Sequence, residues 1–287
     1  MSTPNVTAFF DEATNTVTYV VADPNSNKCV VIDPVLDYNP AAGRTSTESV
    51  TAVIDFMKQE SLSLEWILET HVHADHLSGA PVLKSETNAK TAVGSDITAV
   101  QSVFKGIFNL KDLSTDGSQF DQLFSDGDEF QIGEMSGRVM HTPGHTPACL
   151  TFVIGDAAFV GDTLFMPDFG TARCDFPGGD AGTLYDSIQT ILALPDDTHL
   201  FMCHDYKAPG RDEFAWETSV SEQREKNIHI HEGTTREQFI EFRNDRDAKL
   251  GMPKLIIPSI QMNIRAGEEP APEDNGVRYL KVPLNQL

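Results

Sequence analysis

The sequence predicts an α/β fold that carries a metal site on the ends of its strands. Short apolar, β-branched runs close on turn signals along most of the chain, and segments with apolar residues at helical spacing fall between them. Directly after several of the runs, histidines and aspartates gather. Alternating strands and helices place helices on the faces of sheets.

The elements follow in order. Val17–Val21 and Cys29–Ile32 are strands joined by the turn Ala22-Asp23-Pro24-Asn25-Ser26-Asn27, and Asp33-Pro34 closes the second. A helix over about Thr47–Gln59 carries Val50, Val53, Ile54 and Met57 on one face. Strand Leu64–Thr70 leads into a histidine cluster, with a helix expected from about Leu77 to Glu86. Residues 104–125, polar but bearing Phe104, Phe108, Phe120 and Phe124, read as a loop or short-helix insertion over the core. Strands resume at Glu129–Ile132, Gly137–His141, Leu150–Ile154 and Ala157–Val160, with turns at Asp126-Gly127 and Gly155-Asp156. A helix over about Asp180–Leu194 precedes strand His199–Cys203, and helices are expected around Glu217–Asn227 and Thr235–Lys249. The proline-bearing end is irregular, yet Leu255–Ile257 and Val277–Leu280 are apolar enough to pack. No linker divides the chain, so residues 1–287 are expected to form one domain, with 228–287 as an extension packed on it.

The net charge of −22 argues against nucleic acid or an anionic membrane surface as partner. An anionic small molecule remains possible where basic residues converge. Cys29, Cys149, Cys174 and Cys203 form no CxxC pair and read as buried apolar residues. Met1–Phe10 lacks the pattern of a signal peptide, and no run approaches the roughly 20 apolar residues of a membrane span, so a soluble, cytoplasmic protein is expected.

Residues 70–76 read Thr-His-Val-His-Ala-Asp-His. Imidazole and carboxylate are the commonest metal-ligand groups. On an extended chain His71 and His73 point the same way, and a turn at Ala74-Asp75 brings Asp75 and His76 to the same pocket. Three further sites of this type follow: His145, placed by the turn Thr142-Pro143-Gly144; Asp162 after Gly161; and His204, followed by Asp205 and Tyr206. Ligands on neighbouring strand ends converge on one sheet rim. His141 reads as a packed strand residue.

These segments, His71-Val-His73-Ala-Asp75-His76, Thr142–Thr146, Gly161–Phe165 and His204, resemble the metallo-β-lactamase superfamily over about residues 10–225. The resemblance implies an αββα sandwich with the metal at the edge of its two sheets. Two branches fit. One is a dinuclear thiolester hydrolase of the glyoxalase II type, whose pattern implies two zinc ions, one on His71, His73 and His145, the other on Asp75, His76 and His204, bridged by Asp162. The other is the persulfide dioxygenase family of the ethylmalonic encephalopathy protein type. It implies one Fe(II) on His71, His145 and Asp162, a facial triad with positions open for a substrate sulfur and O₂. His73, Asp75, His76 and His204 then orient the ligands.

Residues Phe169–Phe176, containing Arg173-Cys174-Asp175-Phe176, resemble the dioxygenase Arg-x-Asp-Phe element. His204-Asp205-Tyr206-Lys207 resembles its His-Asp-Tyr element, and Pro258–Gly267 resembles the end of longer bacterial members. The segment Phe169–Arg173 is longer than the human-type pattern. The expected function is oxidation of glutathione persulfide by O₂ to sulfite and glutathione. The candidate substrate contacts are Arg173, Lys207, Arg224 and Arg265, with Tyr206 and Asn263 as hydrogen-bond partners. The resemblance also implies a homodimer, with 104–125 as a candidate interface.

Overall fold

The computed structural model describes residues 3–286. The chain opens with β1 (Asn5–Asp11), β2 (Thr16–Ala22), β3 (Lys28–Ile32), β4 (Val35–Asn39), β5 (Arg44–Ser46) and α1 (Glu48–Gln59). Then come β6 (Ser63–Leu68), β7 (Leu77–Ser78), α2 (Ala80–Thr87), β8 (Lys90–Gly94), α3 (Ile97–Phe108) and β9 (Gln122–Phe124). The next group is β10 (Glu129–Ile132), β11 (Met135–His141), β12 (Leu150–Ile154), β13 (Ala157–Phe159) and α4 (Ala181–Leu192). Last are β14 (His199–Phe201), β15 (Glu217–Ser219), α5 (Val220–Lys226), α6 (Arg236–Asp247) and α7 (Ile256–Asn263).

Two six-stranded sheets, β1-β2-β3-β6-β8-β9 and β10-β11-β12-β13-β14-β15, face each other. Strand alternation decides which residues meet between them. Val17, Tyr19 and Val21 of β2 and Val30 and Ile32 of β3 pack against Phe130, Ile132, Val139, Phe152 and Phe159. The intervening Val20, Ala22, Cys29 and Val31 point outward, onto Val50, Val53, Ile54 and Met57 of α1 and Leu83 of α2. On the far side, Ala158 and Leu200 pack beneath Leu184, Ile188 and Ile191 of α4 and Phe239 of α6. The order helix, sheet, sheet, helix is the αββα sandwich expected from the sequence. All four cysteines are buried and free.

Several expected elements shift for local reasons. Leu77–Ser78 pair with β4, and α2 starts only at Ala80, with Pro81 in its first turn. Glu217–Ser219 pair with β14, and the Ser219 side chain then caps α5. Segment 104–125 is not wholly an insertion, since it begins inside a longer helix. Phe104 and Phe108 belong to α3, and with Phe120 they are buried beside Ile256, Ile260 and Ile264. Phe124 lies in the inter-sheet core. None of the four remains for an interface. The C-terminal stretch is less irregular than its prolines suggest, because Pro258 falls in the first turn of α7, where no helical N–H bond is lost. Among the described residues no helix is long and apolar enough to cross a membrane.

Candidate metal centre and cavity

The site forms where strands end along one rim of the sandwich. His71 lies three residues past β6, Asp162 three past β13 and His204 three past β14. Gly144 turns the chain after β11 to aim His145 inward. Its φ is +137°, and a Cβ there would sit 2.4 Å from the Leu184 backbone, so only glycine fits. All five histidines and Asp162 are buried. Donor atoms of His71, His145 and Asp162 lie within 4.8 Å of one another, as do those of His73, Asp75 and His76. One oxygen of Asp162, Oδ2, stands 3.6 Å from His145 Nε2 and 3.9 Å from His71 Nε2. The other, Oδ1, stands 3.3 Å from His204 Nε2, which is also 3.3 Å from Asp75 Oδ2.

Hydrogen bonds fix which nitrogen of each ring faces this space. His204 Nδ1–H donates to the Asn15 carbonyl at 3.1 Å, and His145 Nδ1–H to the Arg173 carbonyl at 2.7 Å. A carbonyl only accepts, so both Nε2 lone pairs point into the site. Asp33 sets two more. Its Oδ1 accepts from the Thr70 amide at 2.7 Å and from His73 Nε2–H at 2.9 Å, and its Oδ2 accepts from the Thr70 hydroxyl at 2.8 Å. The one hydroxyl proton is thereby used, so Thr70 Oγ1 accepts from His71 Nδ1–H at 3.0 Å. His71 Nε2 and His73 Nδ1 remain for the site.

The charges agree. Burial raises the Asp33 pKa, but the adjacent His73 and the bonds from His73 and Thr70 outweigh it, and the carboxyl stays below its usual range. Burial, with His73 and His145 nearby, holds His71 well below the usual imidazole value, hence neutral. Burial also lowers His73 and His204. For His73 the carboxylates of Asp33 and Glu69 prevail, and for His204 those of Asp75 and Asp162, and both pKa values rise.

Four ring nitrogens, His71 Nε2, His73 Nδ1, His76 Nε2 and His204 Nε2, are buried with no hydrogen-bond partner, as is Asp162 Oδ1. Each such atom costs about 1–3 kcal/mol when left unpaired. Five gathered at one spot, among surplus carboxylates, fit a bound cation that accepts imidazole and carboxylate donors. The cluster is a metal-binding site.

Beside it opens a cavity of about 700 Å³ lined by His145, Asp162, Asp75, Arg173, Tyr206 and the aromatic rings Phe165, Phe169 and Phe176, and by Arg246 and Lys254. The expected substrate contacts divide. Arg173 and Tyr206 line the cavity, but Arg173 is engaged bidentately by Asp175 at 2.6 Å, and its Nη1 donates to the Gly251 carbonyl at 2.7 Å. Lys207 sits over the Phe214 ring, 4.3 Å from its centroid. Arg224 pairs with Asp196 and the Leu192 carbonyl in a separate depression, and Arg265 pairs with Asp112. None of these three lines the cavity. Asn263 holds the histidine segment instead. Its Nδ2 donates to the His73 and His76 carbonyls at 2.9 and 2.8 Å, and its Oδ1 accepts from the Ser78 amide at 2.9 Å. His141 stays apart, bonded to the Pro147 carbonyl.

Sequence reading missed Asp33, Glu69, Thr16, Arg243 and Arg246. Thr16 Oγ1 lies 3.3 Å from both Asp75 Oδ2 and His204 Nδ1. Buried Arg243 grips Asp247 and the Thr171 carbonyl, and Asp247 accepts from the Cys174 amide, which binds α6 to the cavity wall. The spacing of Arg243, Arg246 and Asp247 along one helix was the available signal. For Asp33 it was an acid between the apolar run Cys29–Ile32 and a proline; the structure holds it in the left-handed region at φ +50°.

Comparisons with known proteins agree with this geometry. The family model for the metallo-beta-lactamase superfamily matches residues 12–204. A Burkholderia pseudomallei protein named "Probable metallo-hydrolase" is 51% identical over 98% of this chain and 99% of its own. "Glyoxylase B2" of Dictyostelium discoideum is 51% identical over 93% of this chain and 92% of its own. Beta-lactamase hydrolase-like proteins at 51–53% identity are longer, and the chain spans only 65–66% of their length. Human mitochondrial persulfide dioxygenase ETHE1 is 31% identical over 90% of this chain and 87% of its own. Among solved structures, ETHE1 from Myxococcus xanthus superposes with a TM-score of 0.74 at 29% identity, covering 92% of this chain and all of that one. With its fold, its histidine-aspartate rim and these relatives, the chain belongs to the metallo-beta-lactamase superfamily.

Proposed function

We propose that the protein is a persulfide dioxygenase that oxidises glutathione persulfide with O₂ to sulfite and glutathione at a single Fe(II) held by His71, His145 and Asp162. The observation that carries the reading is the buried triad of two imidazoles and one carboxylate whose donor atoms lie within 4.8 Å, two of its members, His145 and Asp162, lining the cavity. Such a triad leaves adjacent positions open, and iron bound there supplies the redox chemistry for sulfur and O₂. The resemblance to a persulfide dioxygenase over most of the chain supports the choice.

The chain's own groups do the rest. Asp33 and Thr70 orient His71, and the Arg173 carbonyl orients His145. Phe165, Phe169 and Phe176 wall the cavity and exclude water from a reactive sulfur. Both oxygen atoms enter the terminal sulfur, and water then releases sulfite and glutathione.

A second reading, a dinuclear thiolester hydrolase, has its own support. Asp162 presents its second oxygen to His204, His73 Nδ1 and His76 Nε2 are unpartnered, and relatives named for hydrolase or glyoxylase activity are 51% identical. Metal content of protein made with ample iron, paired with O₂ uptake, separates the two. One iron per chain and O₂ consumption with glutathione persulfide are expected. Two metals per chain, with hydrolysis of S-lactoylglutathione and no O₂ uptake, would overturn the dioxygenase reading.

A further inference from the structure

The cavity holds two cations that the metal chemistry does not use. With 43 acidic and 21 basic side chains, most arginines find a carboxylate. Seven of the ten arginines hold one: Arg173, Arg211, Arg224, Arg236, Arg243, Arg265 and Arg278. Arg246 and Lys254 have no ion pair among the described residues, yet both line the cavity with His145 and Asp162. They belong to different parts of the C-terminal segment, the last turn of α6 and the stretch before α7.

That segment is held in place. Buried Arg243 and Asp247 tie α6 to Thr171 and Cys174, and Arg173 holds the Gly251 carbonyl. The backbone that carries Arg246 and Lys254 is therefore anchored beside the cavity, with both side chains exposed. Leu250 and Leu255 line the same cavity, so it offers a ligand apolar surface together with two unneutralised positive charges.

We infer that Arg246 and Lys254 anchor the carboxylates of the substrate's thiol carrier, holding its anionic groups at the cavity wall while its sulfur reaches the metal cluster. The inference deepens the proposed function and rests on a glutathione-type carrier, whichever reaction follows. A chain of net charge −22 repels a dianionic ligand at long range, so recognition requires a local reversal of sign. An arginine matches a carboxylate with its planar fork, and a lysine meets one as a point charge. Contacts to the carrier's carboxylates that are the same in ground and transition states are uniform binding, which sets KM and leaves kcat.

The test is calorimetric titration of glutathione into the full-length, metal-loaded protein and its Arg246→Gln, Lys254→Gln and doubly substituted variants. Lys249→Gln, an exposed lysine outside the cavity lining, controls for net charge. Each cavity substitution should weaken binding about tenfold, the worth of one charge-assisted bond, and Lys249→Gln less than about twofold. The dimethyl ester of glutathione should bind the wild type weakly and be indifferent to either substitution. In turnover, KM should rise with kcat within about twofold. Equal glutathione affinity in wild type and double variant, equal losses for acid and ester, or no binding to the wild type would each overturn the inference. Should O₂ uptake be absent and S-lactoylglutathione be hydrolysed, the dioxygenase reading falls, while the KM shift with the thiolester still decides the role of these two cations.

Discussion

Replacing Asp33 by asparagine changes one atom in a place where both carboxylate oxygens accept. If the amide oxygen takes the Oδ1 position, it still receives the Thr70 amide and His73 Nε2–H, but the NH₂ group then faces the Thr70 hydroxyl. That hydroxyl must accept instead of donate, its proton turns toward His71 Nδ1, and the ring proton moves to Nε2, the atom aimed at the metal. With the amide flipped, the NH₂ group meets His73 Nε2–H, and His73 must carry its proton on Nδ1 instead. Either orientation removes one imidazole lone pair from the site. Loss of such an outer partner lowers metal affinity about 10–100-fold, or about 1.4–2.7 kcal/mol. Thr70→Val breaks only the relay to His71, so its effect should be the smaller. Chelator competition gives the affinity, and melting of metal-free protein reports any general destabilisation. If Asp33→Asn holds metal as tightly as wild type, the tautomer argument fails.

Two further outcomes are expected. Asn263→Ala leaves the His73 and His76 carbonyls and the Ser78 amide unpaired in the interior. It should destabilise the protein by about 2–4 kcal/mol in chemical denaturation, and Asn263→Asp by at least as much, since a carboxylate would face two carbonyl oxygens. A loss below about 0.5 kcal/mol for both would contradict the bracing role. His229 is pushed down to about 3 by burial and by the charges of Arg243 and Arg246, and its Nδ1 accepts from the Thr171 amide at 3.0 Å. Below the unfolded value of about 6.5 the unfolded chain takes up a proton that the folded chain refuses, so its contribution is full above that pH and lost progressively as pH falls toward 3. Denaturation between pH 7 and 5 should therefore show a slope up to about 1.4 kcal/mol per unit steeper in wild type than in His229→Gln; equal slopes would refute it.

The metal-type residues were legible in the sequence because chemistry and position coincide. His71, His73, Asp75, His76, His145, Asp162 and His204 are all groups with little reason to crowd the ends of apolar runs except ligation, and the structure gathers them on one rim. The αββα layers were implied by the family resemblance, and the structure shows how β2 serves them, its inward set Val17, Tyr19, Val21 and its outward set Val20, Ala22 differing by one position. The helix α3 and strand β8 escaped. The five residues of β8 gain their partners from the parallel β6 and β9, far apart in sequence, and the reading of a polar insertion from residue 104 cut α3 in two.

The sequence by itself determined the residue types of the site and the place of most of the apolar strands, because ligand chemistry and apolar runs bounded by turn residues are local properties. Tertiary structure alone decided the partners. It placed Asp33 between Thr70 and His73, turned Asn263 from a presumed substrate contact into a brace of the histidine segment, and spent the charges of Arg173, Arg224 and Arg265 on carboxylates. It also left Arg246 and Lys254 facing the cavity. A charge or a hydrogen-bonding group takes its role from what lies within about 3 Å of it, and for these residues, except Arg173 with its near neighbour Asp175, those neighbours come from distant parts of the chain.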